Sequence, residues 1–118
     1  YTSVAAPVSQ FPAAAQYATD YQAAFNDTAP PFSAQAYDST GFCIASILEA
    51  AIAAGGVPER AAVVESIFGL PLLSGLTGSF EFNDKGDPET ATYFVLQANV
   101  ADWNANELVE RLEIAPPQ

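Results

Sequence analysis

Few side chains in this chain are equipped for covalent chemistry. It holds 14 Asp and Glu against three basic residues, Arg60, Lys85 and Arg111, and has no histidine. The commonest general base and the commonest transition-metal ligand are thus missing. Carboxylate pairs exist on paper, Glu49 with Glu59 and Glu81 with Asp84, but nothing in the pattern places either in a cleft. Hydroxyl nucleophiles have no Gly-x-Ser-x-Gly elbow and no Ser-x-x-Lys around them. Gly75-Leu76-Thr77-Gly78 carries two glycines without the spacing of a phosphate loop, and no lysine follows it. The acidic run Asn83, Asp84, Asp87, Glu89 fails the twelve-residue calcium loop: counted from Asn83, the sixth position is Pro88 and the twelfth Phe94. It reads as a solvated turn. No catalytic residue, metal site or cofactor is expected, and the chain is not read as an enzyme.

The one pair that suggests recognition is Tyr37-Asp38, placed where a helix is expected to start. Free N–H groups and positive potential gather at such an end, and a tyrosine offers a face and a hydroxyl to a ligand. The competing reading has Asp38 as the cap and Tyr37 as the packing residue before it. Cys43, the single cysteine, falls inside a helical pattern and reads as a buried thiol.

A net charge of −11 repels phosphate backbones, so a nucleic-acid partner is excluded as a reading, and anionic membrane surfaces are disfavoured. No apolar run approaches the roughly 18 residues needed to span a bilayer. No basic segment followed by an apolar core marks a signal peptide. At 118 residues the chain suffices for one domain with a modest core.

The elements follow from periodicity. Ser9 is positioned to cap a helix near Phe11 with Pro12 in its first turn, and Phe11, Ala14, Ala18, Tyr21 and Phe25 form one face. Asn26 to Ser33, with Pro30-Pro31, stops it. A second helix, capped by Asp38 or Ser39, sets Ile44, Ile47, Leu48, Ala51 and Ile52 on one face and ends at Gly55-Gly56. Pro58 opens a third, faced by Ala61, Val64, Ile67 and Phe68 and closed by Gly69. Leu70 to Leu76 reads as a loop packed on the core. Gly78 to Phe82 and Thr90 to Val100 read as strands of an antiparallel hairpin around the turn Asn83-Asp84-Lys85-Gly86-Asp87, where Gly86 suits a positive φ. Leu108 to Ile114 is either a short strand or a fraying helix. Phe80, Phe82, Tyr93, Phe94 and Trp103 read as core, or as a face awaiting another part. Three helices and two or three strands do not complete an α/β sheet. The pattern therefore predicts a chain that is incomplete or needs a partner, and Pro116-Pro117 suits a chain end.

In this order the segments resemble the C-terminal part of a type I solute-binding protein, the bilobed α/β class that serves ABC importers of branched-chain amino acids and related small molecules. The resemblance rests on the spaced aromatics Phe11, Tyr17, Tyr21 and Phe25, then Ala36-Tyr37-Asp38-Ser39, then Val57-Pro58-Glu59-Arg60. Gly75, Gly78, Phe80, Phe82, Asn83, Gly86 and Asp87 follow, and the final strand is Thr92 to Gln97. It implies that residues 1–76 are mostly helices of the N-terminal lobe. Residues 77–118 would then be hinge strands returning to the other lobe. It implies a small-molecule ligand, an amino acid by family habit, held only with the missing N-terminal portion. The remainder of the receptor and an ABC permease are the implied partners, and the location is periplasmic or cell-surface. Tyr37, Asp38 and the segment Tyr1 to Ala6 are the parts nearest the cleft on this view, and Tyr37 and Asp38 are carried over as ligand-binding. A sensory receptor of the same fold, or a self-associating interaction module, are the other readings.

Overall fold

Three helices and two small antiparallel sheets emerge in the computed structural model, which describes residues 1–70, 73–101 and 106–115. Strand β1 (Thr2–Ser3) leads through two 3-10 turns, Val8–Gln10 and Pro12–Ala14, into helices α1 (Ala15–Phe25), α2 (Ser33–Ala54) and α3 (Arg60–Gly69). Strands β2 (Leu73–Ser74), β3 (Ser79–Phe80), β4 (Ala91–Gln97) and β5 (Glu107–Ile114) complete the order. The main sheet runs β1-β4-β5, and β2 pairs β3 separately.

Helix ends obey local chemistry in part. Asn26 stops α1 in the left-handed conformation (φ 53°), its N–H donating to the Gln22 carbonyl. Gly55 (φ 66°) stops α2 in the same way. Pro12 opens a 3-10 turn, and α1 begins only at Ala15, so Ser9, inside the preceding turn, caps nothing. Helix α2 begins at Ser33, five residues ahead of Asp38, after the turn Pro30–Ser33 closed by Ser33 N–H donating to the Pro30 carbonyl. Neither Asp38 nor Ser39 is its cap; Phe32 holds that position at φ 69° without a side-chain bond. Helix α3 starts at Arg60, two residues after Pro58.

The expected hairpin between Gly78–Phe82 and Thr90–Val100 is corrected. Strand β3 pairs back onto β2, Leu73 opposite Phe80 and Ser74 opposite Ser79, so Leu70 to Leu76 is not loop throughout. Across the turn the isolated bridge Phe82–Pro88 forms, held by Asn83 N–H donating to the Asp87 carbonyl and Glu89 N–H donating to the Glu81 carbonyl, and the pairing is not extended into a ladder. Strand β4 pairs instead with β5, from Ala91–Ile114 to Gln97–Glu107, with an irregularity at Val95/Leu96. The Leu108 to Ile114 segment is thus strand. The turn itself is as expected: Gly86 sits at φ 83°, and Asn83 Oδ1 accepts from the Lys85 and Asp87 N–H groups.

The buried cluster is small: Ala6, Val8, Phe11, Ala14, Ala29, Ala34, Phe94 and Leu96, with Tyr17, Ala18, Tyr21 and Leu76 against it. Phe11 meets Phe94 edge-on, centroids 5.4 Å apart. This core lies where the N-terminal segment, the starts of α1 and α2, and β4 converge. Elsewhere the aliphatic residues face out. Ile44, Ile47, Leu48 and Ile52 of α2 and Val64 and Phe68 of α3 are each about half exposed or more, the apolar faces that so few strands were expected to leave uncovered. Cys43 is exposed, not buried. The radius of gyration is 16.8 Å, against about 13–14 Å for a compact domain of this length. The thinnest dimension is 19 Å, which accommodates about two layers at roughly 10 Å each. The side chain of Phe80 and all of Trp103 lie outside the described residues.

Candidate functional site

Helix α2 presents Tyr37 and Asp38 in opposite senses. Asp38 points inward and is 6% exposed, whereas Tyr37 is 58% exposed. The Asp38 carboxylate is fully engaged. Its Oδ1 accepts from Leu76 N–H at 2.8 Å, and its Oδ2 accepts from Thr77 N–H at 2.8 Å and Thr77 Oγ1–H at 2.7 Å. Three donors satisfy a buried carboxylate that would otherwise pay heavily for lost hydration. The donors come from the turn joining β2 to β3, where Gly75 N–H donates to the Gly78 carbonyl at 2.7 Å. Gly75 has no Cβ for a reason of space: one would lie 2.5 Å from the Asp38 Cγ. Gly78 adopts φ 143°. The two sequence segments that stand out, Tyr37-Asp38 and Gly75 to Gly78, are therefore one site, joined by a helix carboxylate in a glycine-flanked loop.

The site borders an open hollow of about 560 Å³ lined by Ala13, Tyr37, Asp38, Gly41, Phe42, Ser74, Gly75 and Leu76. Gly41 keeps its α2 wall low, with nothing within 4 Å of where its Cβ would stand. An aromatic file continues from it. Tyr37 lies 5.2 Å from Tyr17, Tyr17 lies 5.9 Å from Tyr21, and Tyr21 lies 4.6 Å from Phe25. The i, i+4, i+8 spacing on α1 puts the last three on one stripe. This arrangement can stack flat or branched apolar groups and offer phenol hydroxyls at the rim. On the far side of Asp38, Phe42 packs edge-on against Phe82 at 5.6 Å.

The structure keeps the other candidates apart or assigns them plain roles. Among the described residues no group of three or more His, Cys, Asp or Glu is disposed to hold a metal. No helix among them is long and apolar enough to cross a membrane. The segment Tyr1 to Ala6 joins the sheet and the core, with Thr2 opposite Val95 and Ser3 opposite Phe94. Sequence reasoning missed Thr77 as a hydrogen-bond donor to Asp38 and Asp38 as a buried acceptor. Gly75 beside a Thr two positions on was the available signal.

The structure is similar to the crystal structure of a leucine-binding protein, LivK, from Thermotoga maritima. The TM-score is 0.71 at 18% sequence identity, over 94% of this chain and 29% of that one. The chain thus spans less than a third of the length of the protein it matches. No family model and no curated protein matches the sequence. At this identity the likeness establishes the fold alone: three helices with a three-stranded antiparallel sheet, matching part of a type I periplasmic binding protein fold.

Proposed function

We propose that this chain is the C-terminal part of the substrate-binding component of an ABC importer for amino acids or related small molecules. The observation that carries the reading is the fold match over 94% of the chain to a leucine-binding protein. The aliphatic face left open on α2 supports it, because such a face belongs against another layer. On this reading residues 1–76 are mostly helices of the N-terminal lobe, and residues 77–118 carry the hinge strands and the return to the other lobe. The pairing of β1 with β4 supports chain crossings that lie side by side. The location is periplasmic or cell-surface, and the partners are the remainder of the receptor and an ABC permease, which senses lobe closure on the ligand.

Tyr37 and Asp38 are the proposed ligand-site residues. Tyr37 offers contact at the rim of the hollow, and Asp38 holds the loop that forms its wall. Calorimetric titration of the full-length protein with leucine, isoleucine, valine and phenylalanine tests the reading. Binding of at least one is expected, with Tyr37→Ala weakening it by about tenfold, roughly 1.4 kcal/mol. Absence of heat and of thermal stabilisation across amino acids and small carboxylates rejects it. The exposed aliphatic row also favours self-association of the isolated chain. Light scattering that finds a monomer at all concentrations removes that second reading.

A further inference from the structure

The loop between β2 and β3 has the features of a binding site in its own right. Two neighbouring amides and a hydroxyl converge on one planar carboxylate, one donor on Oδ1 and two on Oδ2, all within 2.8 Å. All three donors are neutral, so they select by geometry and hydrogen bonding, not by paired charge. The loop is shaped around the guest: a Cβ on Gly75 would stand 2.5 Å from the carboxylate carbon and 2.5 and 2.7 Å from its two oxygens. Thr77 is itself 9% exposed, so its hydroxyl is committed to this position. The solvent-open hollow lined by Asp38, Gly75 and Leu76 reaches the same place.

We infer that the Gly75–Gly78 loop is a carboxylate-binding nest, that Asp38 occupies it from within the chain, and that a small free monocarboxylate takes its place when the aspartate side chain is removed. A planar two-oxygen anion meets the division of donors, and the backbone at Gly75 already lies close against it, so a bulkier tetrahedral anion such as phosphate is excluded by size. The inference does not rest on the transport reading, because it needs only the contact between α2 and the loop.

The test is rescue of Asp38→Ala by formate. The variant is expected to melt roughly 10 °C below the parent chain, from the loss of a buried, three-donor acceptor. Sodium formate should raise its melting temperature saturably, acetate less because its methyl group needs more room, and sodium chloride or phosphate at matched ionic strength not at all. The parent chain should show no formate-specific rise, since its nest is filled. Asp38→Ala with Thr77→Val should lose the response. A rise equal in parent and variant, or none in a folded variant, overturns the inference. Should the variant not fold even in formate, amide hydrogen exchange of the parent chain decides. Leu76 and Thr77 amides slowed by at least tenfold relative to Gly78 support the nest, and unprotected ones overturn it.

Discussion

Helix α2 has two faces, and the chain buries the less apolar of them. Ala34, Asp38, Phe42, Ser46 and Ala50 step along one side at intervals of four; Phe42 is half-buried and the rest are buried. Ile44, Leu48 and Ile52 step along the opposite side at 53, 56 and 76% exposed. Burial follows hydropathy when a chain can complete its own core. Here the inward face is fixed by particular bonds, from Leu76 and Thr77 to Asp38, while the buried Ser46 hydroxyl is satisfied within the helix by donating to the Phe42 carbonyl. The outward face has the composition of an interior and is left exposed by the described residues. The contrast teaches that the α2 pattern carries two faces of different kind, one packed within this chain and one that, on the proposed reading, packs against a part outside it.

Substitutions on each side sharpen the contrast. Phe94→Ala, which empties a fully buried position against Phe11, should cost about 3–5 kcal/mol by urea denaturation. Asp38→Asn keeps the shape but turns an amide NH2 toward a donor, and should cost about 2–3 kcal/mol. Gly75→Ala forces the loop off the carboxylate and should cost about 1–3 kcal/mol, with relief in the double variant with Asp38→Ala. Ile52→Ser, on the open face, should shift stability by no more than about 0.5 kcal/mol while lowering self-association seen by light scattering. A large loss of stability in dilute solution from Ile52→Ser would break the contrast.

How much of this was legible in the sequence depends on the range of the interactions. Asn26, Gly55 and Gly86 each took the left-handed conformation that their residue types favour, because a turn or cap is decided by neighbours along the chain. The start of α2 was misread because Asp38-Ser39 has the composition of a cap, while Phe32 performs that role at φ 69° with no side-chain signal. The role of Asp38 depends on Thr77, 39 residues away, and local pattern holds no record of such a contact. The hairpin was misassigned because Asn83 to Asp87 is a true turn, whereas the strands on either side of it find other partners, β3 pairing with β2 and β4 with β1 and β5, contacts that local pattern does not record. The aliphatic stripe of α2 was legible from its spacing as a face too large for these strands to cover, and it stands exposed in the structure. Cys43, expected to be a buried thiol from its place in the helical pattern, is exposed on the same helix.

The central claim, that the aliphatic side of α2 is an interface with a part of the protein outside this chain, is tested most directly by thiol labelling. Leu48→Cys in a Cys43→Ser background should react in the dilute 118-residue chain at nearly the rate of an unstructured peptide. In the full-length protein it should react at least 100-fold more slowly, about 2.7 kcal/mol of protection. Equal rates in the two would contradict the account.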